Sequence, residues 1–414
     1  MINHYFCPES AVHDMNIKSS GKLSLSAFCL AVCSLLAVSC SEEEVLRYRR
    51  ADFSQMETVR FSHRTGKRVS LDSIVTSVRF VRLETRPGNV VVHPDIVRVF
   101  DDAILFADKT ATKKVLLFNP DGSFKTPVSS YGKAFHQYLS LDHVLVTPQG
   151  EIGIQENERD KIMIYDHNGR YLRIMDNIID SRSVEFIGED YLLHCVNGKH
   201  TESRPRYDSI FFLVTDVRTK DCYAFGRRLE IRRFPFVRDR NTFQYRDRAM
   251  GVLDFENIIY DFTPEGVVAR YKMEITPELL TADRSFNVKP AYFYLLENMP
   301  FFEGNYVQMK DCSVFQYVMS GGRIQTLLYR HSDKSAFGLT LTNENPLFNV
   351  PATVATVYND SVLVLSCQPN DLLKKQKEIL GFYGEESGWA SLFDGLKPAD
   401  NPVLLLVTLD INRM

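Results

Sequence analysis

The pattern of apolar and polar positions changes character along the chain. Between Leu23 and Val38 apolar residues run almost unbroken, after Lys18 and Lys22 and before Ser39-Cys40. Residues 41–70 are polar and show little periodicity. From about Ser73 onward the chain becomes a succession of short apolar or alternating runs separated by turn residues, the appearance of many short strands. Only Asp371–Leu396 has helical spacing. There Leu372, Leu373, Gln376, Ile379 and Leu380 fall on one side, and Lys374, Lys375 and Lys377 on the other.

Internal repeats indicate the architecture. Phe118-Asn119-Pro120-Asp121-Gly122-Ser123-Phe124 recurs as Tyr165-Asp166-His167-Asn168-Gly169-Arg170-Tyr171, and again as Phe262-Thr263-Pro264-Glu265-Gly266-Val267-Val268. Each copy is a strand ending in an aromatic residue, a four-residue turn closing on glycine, and another strand. The glycine is expected to supply the positive φ such turns require. A period of about 40 to 50 residues with four strands per unit predicts propeller blades.

Five blades follow directly: Ile96–Val128, Leu141–Ile174, Ser183–Phe225, about Phe243–Glu274 and about Phe301–Gly338. A sixth begins at Ala352–Val357 and Ser361–Ser366 but then lacks strands. Two orphan runs can complete it, Val78–Glu84 near the start and Pro402–Leu409 near the end. The expected fold is therefore an all-β, six-bladed β-propeller over residues 73–414. N- and C-terminal strands close its last blade, and a small helical insertion sits at about 371–396. Closure of the ring removes exposed sheet edges.

The segment before it reads as an address. A short positive stretch, an apolar core of about 15 residues and a small residue before the cut form a secretory signal over residues 1–39. The run is too short for a spanning helix, which needs about 20 apolar residues. Met15 is an alternative start, because the residues before it resemble no such leader. Leu36-Ala37-Val38-Ser39-Cys40 resembles the bacterial lipobox, with Ala37 where Leu is usual. This makes Cys40 the expected lipidation site and the membrane a partner through that anchor, with residues 40–72 as an acidic, polar tether.

Several short motifs carry a family resemblance: Leu83-Glu84-Thr85, Val115–Phe118 before Asp121-Gly122, Ile258-Ile259-Tyr260, and Asn401-Pro402-Val403-Leu404. Over roughly residues 75–410 the chain resembles the Bacteroidetes six-bladed β-propeller lipoproteins, of TolB-like or NHL-like type. The resemblance implies a fold and an envelope address but no settled activity. Ser41-Glu42-Glu43-Glu44 resembles the surface-export signal of such lipoproteins, which implies an outer-membrane lipoprotein exposed at the surface; a periplasm-facing tether is the alternative. Where these proteins often carry a glycine-rich stretch ending in Glu-Tyr, this chain has Gly132-Lys133-Ala134-Phe135-His136-Gln137-Tyr138.

Composition adds two constraints. Of 414 residues 12% are aromatic, carried by 28 Phe and 19 Tyr with a single Trp, which leans towards strands. The formal net charge is −3, which argues against a nucleic-acid partner.

Candidate chemistry is sparse. Eight arginines lie between Arg227 and Arg248, and guanidinium forks suit carboxylates, phosphates or sulfated sugars. Arg232, Arg233, Arg238 and Arg240 are the candidate ligand-binding residues there, with a solvated loop as the plain alternative. Trp389, near Phe382, Tyr383 and Phe393, is either an exposed stacking platform or the packing of the helical insertion onto its blade. His136 is a further candidate. No histidine pair has the spacing of a zinc site, and no nucleophile elbow, phosphate loop or dinucleotide fingerprint occurs, so no catalytic residue, metal or cofactor is expected. Asp101-Asp102 reads as turn chemistry.

The leading expectation is a binding or scaffold module for a glycan, peptide or partner protein. The alternative is a polysaccharide hydrolase or lyase with acidic and histidine residues over the central channel. The four cysteines after Cys40, namely Cys195, Cys222, Cys312 and Cys367, are expected to be buried free thiols. The first pair lies on the second and fourth strands of one blade, too far apart to bond.

Overall fold

A computed structural model of the chain describes residues 46–196, 207, 209–227, 241–254, 256–279, 299–320, 322–340 and 343–413. Six antiparallel sheets of four main strands each make a six-bladed propeller. Blade one comprises Ile96–Val99, Ile104–Asp108, Lys114–Phe118 and Phe124–Pro127, paired in that order from the axis outward. Blades two to five repeat the arrangement from His143, Ser181, Thr242 and Phe301.

Strand alternation explains the ring. In blade one Leu105, Ala107, Val115 and Leu117 pack towards blade two, while Ile104, Phe106, Leu116 and Phe118 pack towards blade six. Both middle strands of blade one are thus apolar on both faces, as suits a sheet covered on both sides. The buried residues form six separate clusters, one in each space between neighbouring blades.

Blade six is completed as the sequence predicts. Ala352–Tyr358 and Val362–Cys367 are followed by Val403–Leu409, which pairs antiparallel with Val75–Arg82 from the start of the chain. Val403, Leu405 and Val407 face blade five, whereas Leu404 and Leu406 face blade one. The helical insertion is Pro369–Tyr383 followed by the short helix Ala390–Phe393, and it buries Leu372, Ile379, Leu392 and Phe393 against blade six.

A clasp locks this junction, and the family-like motifs build it. Asn401 is fully buried; its amide oxygen accepts the Val91 N–H at 2.9 Å. Its amide nitrogen donates to the carbonyls of Glu84 at 2.9 Å and Asn89 at 3.1 Å. Its own N–H donates to Thr85 Oγ1 at 2.8 Å, and Glu84 in turn accepts the Phe124 N–H at 2.8 Å.

The repeated turns are latches between blades. Gly122 has φ +91°, and a Cβ there would lie 2.2 Å from the Arg82 carbonyl oxygen on the outer strand of blade six. Gly169 has φ +73°, and a Cβ would lie 2.5 Å from the Pro127 carbonyl oxygen of blade one. The third turn departs from the expectation. Gly266 has no left-handed φ and open space around it, and its latch is instead the Tyr223 hydroxyl, which donates to the Thr263 and Gly266 carbonyls at 2.6 and 3.0 Å. Asp101 and Asp102 also do more than shape a turn. Asp101 accepts the Tyr358 hydroxyl of blade six at 2.8 Å, and Asp102 meets His167 Nδ1 of blade two at 2.7 Å.

The stretch read as a polar tether is not free over most of its length. Arg47–Tyr48 adds in parallel to the outer strand of blade three, Ala51–Asp52 and Glu57–Ser62 to that of blade four, and Arg68–Val69 to that of blade five. Edge pairing uses backbone groups; of these strands Glu57–Ser62 also buries Val59 and Phe61 in the core between blades four and five, while the two-residue strands are too short to show any periodicity. The leader, Cys40 and residues 41–45 lie outside the described residues.

Candidate functional site in the central channel

The innermost strands of all six blades surround a cavity of about 160 Å³. Its wall includes Arg98 of blade one, His143 of blade two, Glu185 of blade three, Tyr245 of blade four, Tyr306 of blade five and Thr356 of blade six. One histidine and one carboxylate meet there. His143 Nε2 lies 3.3 Å from Glu185 Oε1, and the Arg98 guanidinium approaches the same oxygen at 3.9 Å.

Both side chains are deeply buried, with relative exposures of 6% for His143 and 1% for Glu185. Burial holds the His143 pKa below its ordinary value, against the opposing pull of Glu185. A neutral imidazole that donates from Nε2 to a carboxylate presents Nδ1 as an acceptor. Neither His143 Nδ1 nor Glu185 Oε2 has a hydrogen-bond partner. Two unmatched acceptors therefore sit in the channel wall, where nearly all buried polar groups are normally paired.

One mouth of the channel is bridged. Arg246, in the turn after the inner strand of blade four, donates from Nε to Asp360 of blade six at 2.9 Å. Tyr245 lies beneath both Arg246 and Arg248, at 5.3 and 5.8 Å from ring centre to guanidinium carbon. Arg248 pairs with Asp261 at 2.8 Å; burial raises the Asp261 pKa despite that cation. Each carboxylate lining the cavity, Glu185 or Asp360, thus faces a cation.

The residues singled out from sequence do not converge on this cavity. Arg232, Arg233, Arg238 and Arg240 lie outside the described residues. The described chain before them ends at Arg227, on the outer strand of blade three, and the strand after them, Thr242–Tyr245, lines the channel. Trp389 is half-buried, stacked on Tyr383 at 4.5 Å and packed on Phe80 at 5.1 Å. His136 is exposed in the connection between blades one and two, where its carbonyl accepts the Tyr165 hydroxyl at 2.9 Å. The Gly132–Tyr138 loop closes on itself, with the Gln137 side chain filling the space beside Gly132. No group of three potential metal ligands occurs among the described residues.

Glu185 went unnoticed in the sequence, although a carboxylate inside the apolar inner strand Ser181–Ile187 was the available signal. A second buried histidine, His194, faces the space between blades two and three and bonds Thr215 at 3.0 Å. The four cysteines are free thiols, with Cys195 pairing across to Phe212 and Cys222 to Thr215. Cys222 is only half-buried, because it begins an outer strand; the expectation of four fully buried thiols holds for the other three.

Comparison with known proteins agrees with this architecture. A protein from Bacteroides fragilis described as exported superposes with a TM-score of 0.69 at 15% identity, covering 86% of this chain and 100% of that one. A DUF4221-family protein from Bacteroides vulgatus aligns with a TM-score of 0.48 at 9% identity, over 81% of this chain and 97% of that one. No curated protein matches the sequence. The model of a family described as a domain of unknown function, DUF4934, matches residues 56–408, from the strap on blade four to the closing strand of blade six; the chain belongs to the DUF4934 family.

Proposed function

We propose that this chain is an outer-membrane lipoprotein, anchored through Cys40 and exposed at the cell surface, whose propeller binds a glycan end at its central channel without transforming it. The supporting observation is the pair of unmatched buried acceptors, Glu185 Oε2 and His143 Nδ1, on the cavity wall. A buried acceptor without a donor costs about 1–3 kcal/mol, and a ligand hydroxyl removes that cost. Hydroxyls also accept, so the same group can receive a hydrogen bond from Arg98. Arg232, Arg233, Arg238 and Arg240 precede the channel-wall strand Thr242–Tyr245 in sequence, and guanidinium groups suit an acidic or sulfated sugar. The related fold of a Bacteroides protein described as exported is consistent with the envelope address.

Isothermal titration against a panel of neutral and acidic oligosaccharides tests the binding reading. Glu185→Gln turns an acceptor into a mixed donor and acceptor of the same shape, and should weaken binding at least tenfold. Equal affinity of the variant and the parent would remove the channel from the reading; release of shortened products would favour a hydrolase or lyase. For the anchor, Cys40→Ser should move the protein from the membrane to the soluble fraction. A Ser variant that stays with membranes after a carbonate wash would overturn lipidation.

A further inference from the structure

If Cys40 carries the anchor, the strap sets how the propeller stands on the membrane. The first paired residue is Arg47, on the outer edge of blade three. Seven peptide steps separate it from Cys40, and a fully extended chain covers at most about 3.6 Å per residue, so the reach is about 25 Å. The outer edge of blade three can therefore lie no further than about 25 Å from the anchored residue, whereas blade six stands opposite it in the ring.

The rim at that place has a distinctive surface. Arg47, Tyr48, Arg49, Arg50 and Phe53 are exposed, with Tyr48 at 44% and Phe53 at 52%. Arg227, at the end of the outer strand of blade three, lies with its guanidinium 5.6 Å from the Tyr48 ring centre, and Arg49 is 6.0 Å from that of Tyr223. Among the described residues no carboxylate pairs with Arg47, Arg49, Arg50 or Arg227, whereas the more distant Arg60 and Arg218 are engaged by Glu274 and Asp190. Asp52, the one carboxylate between Arg47 and Phe53 in sequence, is occupied by the N–H and hydroxyl of Ser54. Glu42, Glu43 and Glu44 precede the patch in sequence and offset its net charge. Attraction must then come from local contacts, in which guanidinium forks bind phosphate and the two aromatic rings settle at the interface.

We propose that Arg47, Tyr48, Arg49, Arg50, Phe53 and Arg227 form a membrane-facing surface that binds the lipid phosphates of the leaflet carrying the anchor, which for a surface-exposed lipoprotein is the lipopolysaccharide leaflet. The inference rests on the lipoprotein reading above. A tether this short raises the local headgroup concentration, so a contact too weak to recruit the protein still fixes its orientation.

Two measurements separate this surface from the anchor. In the first, leaderless Cys40→Ser protein, which carries no lipid, is floated with phosphatidylethanolamine vesicles carrying lipopolysaccharide. It should co-float at low salt and be released by high salt. Changing Arg47, Arg49, Arg50 and Arg227 together to Ser should reduce co-flotation at least tenfold, while changing the same four to Lys should retain much of it. An arginine counts for about fivefold near an anionic surface, less when screened. Co-flotation that is absent in the parent, or equal in the Ser variant, overturns the proposal. In the second, acylated protein in the same vesicles, with the reactive Cys222 changed to Ser, carries a donor dye at Gln55→Cys or at Lys397→Cys, with acceptor dye on the headgroups. Transfer should be much stronger from position 55 than from position 397 in blade six; equal transfer overturns the orientation. If lipidation itself fails, acylated protein cannot be prepared, yet the flotation of the lipid-free protein still reports on the patch.

Discussion

Removing the Asn401 side chain should open the ring at its seam. Asn401→Ala deletes three hydrogen bonds, to the Val91 N–H and to the carbonyls of Glu84 and Asn89. Val91 and Asn89 are only 4% and 2% exposed, so two of the abandoned groups belong to residues shut away from bulk solvent. At about 1 kcal/mol for each bond, the loss is about 3 kcal/mol if water enters the space, rising to about 5 kcal/mol if the groups stay dry. Asn401→Asp keeps the acceptor for Val91 but turns both donated bonds into contacts between oxygens. It should cost at least as much at neutral pH and recover partly on acidification, when the carboxyl regains one donor. Guanidinium unfolding followed by far-ultraviolet circular dichroism measures both, with Asn168→Ala, at an exposed turn position, as a control expected within about 0.5 kcal/mol of the parent. Hydrogen exchange should accelerate together in residues 75–82 and 403–409, the two strands joined at the seam. A loss below about 1 kcal/mol for Asn401→Ala would refute the clasp.

Other outcomes follow from the same geometry. Burial pushes the His194 imidazole down to about 3, whereas an unfolded histidine titrates near 6.5. Its share of stability is therefore complete above pH 6.5 and is lost as the pH falls towards 3, by about 2 kcal/mol between pH 7 and 5. His194→Gln should flatten the pH profile by that amount, and parallel profiles would show that His194 titrates normally. Gly122→Ala and Gly169→Ala should each cost at least about 2 kcal/mol, from positive φ and a backbone clash, while Gly266→Ala should stay within about 0.5 kcal/mol; equal costs would contradict the latch geometry. Burial pushes the thiols of Cys312 and Cys367 up to about 12, so a maleimide at neutral pH should label Cys222 first in the folded, processed protein and reach the other three only on unfolding.

The blades were legible because middle strands such as Ile104–Asp108 are apolar on both faces and each hairpin needs its turn residues, and both signals are local. Closure was legible because Pro402–Leu409 is too apolar to be a tail and Val78–Glu84 had no partner in a nearby blade. The edge strands of Arg47–Val69 were not, since three of the four are two residues long and only Val59, Phe61 and Val69 among their side chains are buried in the core, too few to show a period. The equivalence of the three glycine turns misled at Gly266, because Tyr223, forty residues earlier, supplies that latch through a hydroxyl. The channel was hidden for a different reason. Arg98, His143 and Glu185 belong to three blades and meet only through the ring, so no spacing along the chain announces them.

The seam also dictates when this molecule can become itself. Residues 47–82 are made early, yet every strand among them waits for a partner synthesised far later, and the last of those partners ends at Leu409. Pairings of such wide sequence separation form slowly. A chain emerging from its N-terminus therefore cannot close into a rigid ring until Val403–Leu409 has followed, and until then it stays pliable.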